Sequence, residues 1–366
     1  MANSSDPTTL KTEDQLKEES WFGFPMKVYQ GFWCLNVLFE GVTSFQNNFE
    51  AKDSDIILAS LPKTGTTWLK SLLFAIVNRN NLCGDLSKLP FHTKTPHEIV
   101  LHLEIEVYKN FNGTPPDNIL DVPSPRLFAT HMPYLSLPDS IKGSKCRIVY
   151  VSRNPLDTFV SIWHFYLQFE ISKGVNPSKE MMEEYLGKYC TGVSPFGPYE
   201  DHLLGYWKET QKNPKHVLFL EYEGLKKEPK AHLKRLAEFV GCPFSEEEDK
   251  KNVIDEIIEL CSIKSMKEME VNKTGKFYPW VENKALFRKG EVCSGEVVAS
   301  AALVFCCTVV STAMLLPVHM CASVISVACC CWGFVATCGL DAFLWLLVLL
   351  VFCLACWSCL FVVCVS

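Results

Sequence analysis

No lysine, arginine, asparagine, glutamine or glutamate occurs between residues 297 and 366, and the one acidic residue there is Asp341. Of those 70 residues 56 are apolar, so two compositions are joined in one 366-residue chain. The preceding body lacks a charge excess of either sign. Residues 1–290 hold 35 basic and 38 acidic side chains, a balance of −3 that leaves no electrostatic footprint for nucleic acid. It also lacks a cysteine framework: Cys34, Cys83, Cys146, Cys190, Cys242 and Cys261 are unclustered, as in a reduced intracellular protein. No apolar h-region is found in MANSSDPTTLKTEDQLKEES, so residues 1–20 are expected to form a disordered arm. The Asn-x-Ser/Thr triplets at Asn3, Asn112 and Asn272 are accordingly not read as glycosylation sites. No internal repeat is visible.

Four short runs rich in β-branched and aliphatic residues read as buried strands: 55–60, 126–131, 147–153 and 216–223. Each precedes a helical or loop stretch, the alternation of an α/β fold with a parallel sheet and covering helices. After the first comes Leu61-Pro-Lys-Thr-Gly-Thr-Thr-Trp68, then a segment with Leu69, Leu72, Leu73, Ile76 and Val77 at helical spacing. Residues 171–200 and 264–292 carry many Gly, Pro and Lys residues and are expected to be long functional loops.

The turn at 63–67 is the strongest chemical signal. Free amides and the dipole at a helix N-terminus, two threonine hydroxyls and Lys63 make an anion site. It is not a Walker A sequence, because no Gly-x-x-x-x-Gly-Lys-Ser/Thr is present. Arg153, at a strand end, and Ser161, eight residues on, suit a second phosphate, although a turn with a surface ion pair would use the same residues. His131 closes another strand and is a candidate base for a hydroxyl acceptor. Phe287-Arg288-Lys289-Gly290 follows an aromatic-rich loop and could close over a polyanion or remain a solvated pair. No metal site is expected: His97 and His102 are one residue too far apart for the zinc-protease spacing.

In this order the segments resemble the cytosolic sulfotransferase family, the plant branch in particular. LPKTGTTWLKSL is similar to its 5′-phosphosulfate loop and ATHMPY to its base-bearing loop. YVSRNPLDTFVSIWHF resembles its 3′-phosphate segment, LFLEYEGLKKEP its next strand, and FRKGE the start of its closing cofactor motif. The match covers roughly residues 20–292. The resemblance implies a P-loop-like α/β fold with a central parallel sheet flanked by helices. It also implies the donor 3′-phosphoadenosine 5′-phosphosulfate (PAPS), no metal, and a small hydroxylated acceptor such as a flavonoid, steroid, jasmonate-like molecule or desulfoglucosinolate. Catalysis would fall to His131 as base and to Lys63, which would hold the bridging oxygen of the leaving phosphate. Thr64, Gly65, Thr66 and Thr67 would wrap the 5′-phosphate, and Trp68 would stack on adenine. Arg153, Ser161, Arg288, Lys289 and Gly290 would bind the 3′-phosphate, with Tyr222 and Ser262 lining the nucleoside side. A nucleotide-dependent kinase and a membrane-tethered inactive homologue are the alternatives. The first is disfavoured by the missing Walker sequence and by the lack of a Mg²⁺ carboxylate beside the loop.

One departure from the family stands out. Its Arg-Lys-Gly segment continues into Gly-Asp-Trp and a final amphipathic helix; here Glu291-Val292 leads to Cys293 and the apolar tail. The loss is expected to leave the 288–290 segment unanchored. This divides the chain into an arm (1–20), a sulfotransferase domain (21–292) and an atypical tail (293–366). In the tail, 297–316 and 342–366 are long and apolar enough to span a bilayer, and 318–340 is a weaker candidate. The Cys353-x-x-Cys356-x-x-Cys359 spacing has no charged or histidine neighbour to complete a metal site. The residues of the tail are those of T- and G-rich codons, which favours read-through into non-coding sequence over a selected anchor. The body is expected in the cytoplasm either way, tethered to a membrane only if the tail is made. Oligomeric state is left open.

Overall fold

The structure is a computed structural model that describes residues 17–82, 85–109, 122, 124–279 and 281–292. The four aliphatic runs become strands β4 (Ile56–Ser60), β5 (Leu127–Thr130), β6 (Arg147–Ser152) and β7 (Val217–Glu221). They form one sheet in the order β5-β4-β6-β7, every pair parallel. All five residues of β4 are buried, as are five of the six in β6. Strands covered on both faces need such unbroken apolar runs, which is why they were legible without alternation.

Five longer helices surround or adjoin the sheet: α1 (Phe39–Asn48), α2 (Thr66–Asn78), α3 (Pro155–Ser172), α4 (Tyr199–Lys212) and α5 (Pro229–Phe239). In α2, Leu69, Leu72, Leu73 and Ile76 enter the core with Ile56, Leu58, Val149 and Val151 of the sheet. Helix α3 begins where Pro155 supplies the fixed φ and the Asn154 side chain accepts from the amides of Leu156 and Asp157.

The order of the strands positions the site. From β4 the chain crosses to β5 on one side, and from β6 to β7 on the other, so the connections diverge between the adjacent carboxyl ends of β4 and β6. In open α/β sheets that divergence leaves a crevice for ligands. The segments entering it are Leu61–Gly65 after β4 and Arg153–Asn154 after β6.

Three expectations are corrected. Residues 18–20 do not belong to an arm: Glu18–Trp21 is strand β1 of an antiparallel sheet with β2 (Phe24–Tyr29) and β3 (Phe32–Leu35). Residues 171–200 are not one loop, since α3 runs on to Ser172 and a helix spans Lys179–Cys190. Residues 264–292 contain short helices at Ile263–Glu268 and Glu270–Lys273 and a small hairpin, β8 (Lys276–Tyr278) with β9 (Val281–Glu282). Gly, Pro and Lys cut these stretches into short elements without removing structure. By contact the chain separates into two units; residues 17–179 and 192–292 belong to the first, which holds the sheet, and 180–191 to the second. The tail and residues 1–16 lie outside the described residues. Among the described residues, no helix is long and apolar enough to cross a membrane.

A buried ion pair ties the amino ends of β4 and β5 together. Asp55 is fully buried, and Arg126 donates to it through Nε at 2.8 Å and Nη2 at 2.5 Å. Arg126 also donates to the Glu50 carbonyl, and Asp55 accepts from the Lys52 amide. Removing one partner strands a buried charge, so Asp55→Ala should lower unfolding stability by about 3–5 kcal/mol. Urea denaturation measures this; a loss below about 1 kcal/mol would mean that the pair contributes little.

Candidate active site

The loop after β4 takes a conformation that most residues avoid. Lys63 has φ +71° and Gly65 φ +118°. A Cβ on Gly65 would lie 2.7 Å from the Tyr222 ring, so both backbone and packing require glycine. Gly65 caps α2 without a side-chain acceptor, which leaves the first-turn N–H groups of Thr66, Thr67 and Trp68 for an external anion. The hydroxyls nearby are partly committed. Thr66 Oγ1 lies 2.7 Å from Ser60 Oγ, and Thr67 Oγ1 lies 3.0 Å from His97 Nε2.

These residues open onto a cavity of about 340 Å³. It is lined by Lys63, Gly65, Thr66, Thr67 and Trp68 from the first loop, and by Arg153 and Ser161 from the β6 end and α3. His131, Tyr222 and the segment Arg288–Gly290 complete it among the expected residues. Two others stand apart. Thr64 is buried with its hydroxyl donating to the carbonyls of Leu61 (2.9 Å) and Val151 (3.1 Å). Ser262 caps the helix that follows it and bonds the amide and hydroxyl of Ser265, while its neighbours Cys261 and Ile263 form the cavity wall. Thr64 therefore serves the loop and Ser262 the helix end.

The cavity is electropositive. Lys63, Lys109, Arg153, Arg288 and Lys289 line it, and no carboxylate does among the described residues. Burial first, and then the cations Arg153 and Arg288, lower the Lys63 ammonium to about 7. Its Nζ lies 4.4 Å from the Phe165 ring centre. Arg153 stacks over Tyr222 at 4.6 Å, while its buried Nε has no hydrogen-bond partner among the described residues.

The 288–290 segment is anchored, contrary to expectation. Lys267 Nζ donates to the Arg288 carbonyl (3.0 Å), Tyr222 OH to that of Gly290 (2.8 Å) and Arg153 Nη2 to that of Glu291 (2.8 Å). Gly290 has φ +65°, and a Cβ there would overlap the Ile263 side chain. Body residues hold this strip by its backbone.

His131 follows β5 and is buried. Its Nδ1 lies 2.7 Å from the Ser60 carbonyl, which can only accept, so Nδ1 carries the proton and Nε2 keeps its lone pair. Burial, then the neighbouring His102, holds the imidazole well below its usual range, so it is neutral near pH 7. Its backbone N–H donates to Glu104 Oε1 at 2.7 Å, and burial pushes that carboxyl up to about 7.

Beside it lies a polar cluster that the sequence reading did not single out. Lys70 is fully buried on α2, with Nζ 3.1 Å from His97 Nδ1 and 3.0 Å from His102 Nδ1. Glu106 Oε2 lies 3.0 Å from the same His102 Nδ1. His97, His102 and Glu106 bring metal-ligand atoms within 4.8 Å of one another, but Lys70 Nζ already lies against the Nδ1 atoms of both histidines. The spacing of the histidines along one helix was the wrong test. Helix Pro96–Ile99 ends between them, and the chain then runs beside β5, where His102 pairs with Ala129. A visible signal was Thr95-Pro-His-Glu98, a capping box that starts a helix only one turn long.

Comparison with known proteins agrees with this architecture. Residues 53–294 match the model of the sulfotransferase domain. Among curated relatives, cytosolic sulfotransferase 5 of Arabidopsis thaliana is 44% identical over 264 residues, which covers 72% of this chain and 80% of that protein. Cytosolic sulfotransferase 1 of the same plant is 41% identical over 305 residues, 80% of this chain and 91% of that one. A crystal structure of an Arabidopsis thaliana sulphotransferase aligns with TM-score 0.58 at 38% identity, over 74% of this chain and 91% of the other. A mouse sulfotransferase complexed with PAP shares the fold with TM-score 0.61 at 23% identity, over 83% and 98% of the two chains. With the domain matched across the parallel sheet, the cationic cavity and the His131 loop, the chain belongs to the plant cytosolic sulfotransferase family and is a sulfotransferase.

Proposed function

We propose that residues 21–292 form a catalytic domain that transfers the sulfuryl group of PAPS to a hydroxyl of a small organic acceptor. Flavonoid, steroid, jasmonate-like and desulfoglucosinolate acceptors are the candidate classes, and the cytoplasm is the proposed compartment. The observation that carries this reading is a cavity lined by cations, with no lining carboxylate among the described residues, and by a neutral imidazole whose Nε2 keeps its lone pair. The kinase alternative requires a Mg²⁺ carboxylate beside the loop, and the lining supplies none among the described residues.

Each role follows from what the side chain is free to do. The amides of Thr66, Thr67 and Trp68 would hold the 5′-phosphate at the start of α2, with the Thr66 and Thr67 hydroxyls adding contacts. Trp68 and Tyr222, which line the cavity, would take the nucleoside. Arg153 through Nε, with Ser161, Arg288, Lys289 and the Gly290 backbone, would receive the 3′-phosphate. His131 Nε2 would take the acceptor proton as the acceptor oxygen bonds to sulfur. The bond from sulfur to the bridging oxygen breaks, and the charge that collects on the leaving phosphate is met by Lys63. The protein contributes positioning and charge neutralisation rather than covalent chemistry.

His131→Ala should lower kcat by about 10²- to 10⁴-fold, the usual contribution of a positioned base. Titration calorimetry should show its affinity for adenosine 3′,5′-bisphosphate (PAP) unchanged, and a matched loss of both would assign His131 to binding instead. The depressed Lys63 also fixes a sign. In the empty protein the amine loses its proton as pH rises through about 7, whereas a bound phosphate favours the ammonium. PAP binding at pH 8 should therefore take up a proton, and the affinity should weaken as pH rises from 7 to 9. Calorimetry in buffers of different ionisation enthalpy measures the uptake; Lys63→Ala should abolish it, and uptake unchanged in that variant would refute the assignment.

A further inference from the structure

One face of α4 braces the loop that carries the proposed base. The buried residues of this helix are Tyr199, His202 and Tyr206, spaced i, i+3 and i+7 along one side. Burial alone would be served by apolar side chains. Each of these three instead brings a polar atom to a backbone carbonyl that lies beyond a strand end and so has no ladder partner. Tyr199 OH donates to the carbonyl of Arg153, after β6, at 2.5 Å. Tyr206 OH donates to that of Met132, after β5, at 2.7 Å. Between them, His202 Nε2 lies 2.9 Å from the carbonyl of His131 itself.

The proton on His202 is fixed by its two partners. A carbonyl can only accept, so Nε2 carries the hydrogen that faces His131. Burial holds the imidazole down at about 4, so it is neutral near pH 7 and its Nδ1 keeps a lone pair. The Tyr150 hydroxyl, 3.0 Å from Nδ1, donates to that lone pair. A chain of two hydrogen bonds thus runs from β6 through His202 to the His131 carbonyl. His131 is gripped at two further atoms: its N–H donates to Glu104 Oε1 and its Nδ1–H to the Ser60 carbonyl, each at 2.7 Å. The three bonds together fix the direction in which Nε2 points. Neither His202 nor Tyr206 lines the cavity, so neither touches a ligand held there.

We propose that His202 is a positioning residue for the transfer reaction: its Nε2–H, aligned by the Tyr150 hydroxyl, sets the place and direction of the His131 imidazole, and Tyr206 holds the next carbonyl. This rests on the sulfuryl-transfer reading above. The base must reach the acceptor hydroxyl while that oxygen attacks sulfur in line, and a misplacement of about 1 Å costs about 10²-fold in rate.

His202→Leu removes the donor, and His202→Gln returns an N–H and an acceptor oxygen to the same gap. In the full chain His202→Leu should lose about 10²-fold in kcat, while the acceptor KM and the PAP affinity from titration calorimetry stay within about threefold of wild type. His202→Gln should recover most of the loss. Tyr206→Phe deletes one hydroxyl and keeps the ring that stacks on Tyr150 at 4.3 Å, so it carries the same test with less risk to folding. Its kcat should fall by up to about tenfold, the worth of one hydrogen bond. A double-mutant cycle with His131→Ala separates positioning from a general effect on the fold: the loss from either variant should vanish once His131 is absent. An equal loss in the His131→Ala background, a loss carried by PAP affinity, or an unchanged kcat would overturn the proposal. Failure of the sulfuryl-transfer reading itself would show separately, as wild-type protein that neither binds PAP nor transfers a sulfuryl group.

Discussion

Lys63, half-buried, stands beside two other cations, Arg153 and Arg288, with no carboxylate lining the cavity among the described residues. Such an arrangement is costly in a low-dielectric site and persists only if the scaffold imposes it. Here the backbone does so. The left-handed turn at Lys63 and Gly65, the approach of the Tyr222 ring and the packed start of α2 fix the lysine at the carboxyl end of β4. Parallel pairing of β4 with β6 then delivers Arg153 beside it, its Nη1 3.5 Å from the Lys63 carbonyl. In the proposed function the anion that relieves this charge is the donor, so binding strength is built into the empty site as unfavourable electrostatics.

The same logic separates the two ends of the cavity. Near Lys63 the cavity is lined by cations and, among the described residues, by no carboxylate. Near His131 it pairs its charges within the wall: Lys70 is opposed by Glu106 and Glu104, and the imidazoles are kept neutral by burial. A neutral base beside an uncharged acceptor and cations beside a polyanionic donor are the division of labour that sulfuryl transfer needs. The strip from Arg288 to Glu291 is held to the body through hydrogen bonds to its carbonyls from Lys267, Tyr222 and Arg153. These bonds depend on geometry rather than on the identity of the strip's side chains.

What could be read from the sequence follows from how local each signal is. The strands were legible because burial on both faces leaves uninterrupted aliphatic runs such as Ile56–Ala59 and Ile148–Val151. The turn after β4 was legible because Lys63, Gly65 and Thr66 run directly into the helix that Thr66 starts. Thr64 and Ser262 were placed by pattern, whereas their hydroxyls are claimed by contacts that no pattern shows: the Val151 carbonyl 87 positions away and the Ser265 cap. The Lys70, His97 and His102 cluster was missed for a related reason. Lys70 looks like one polar residue on an apolar helix, and only the register of β5 against the segment at His102 brings its partners to it. The edge sheet of residues 18–35 was hidden because its first strand is Glu-Glu-Ser-Trp, polar but for Trp21, and is held by pairing rather than by burial.

The central claim is that the cations lining the cavity at two places, the β4 loop and the Arg153–Arg288 side, are completed by a ligand bearing two phosphate groups on one nucleoside. Comparing PAP with adenosine 5′-monophosphate and ATP by titration calorimetry tests this most directly. The account predicts that PAP binds at least about 100-fold more tightly than either, the worth of roughly two charge-assisted hydrogen bonds, and that Arg153→Ala removes most of the difference. Equal affinities for PAP and ATP, with no response to that substitution, would contradict it.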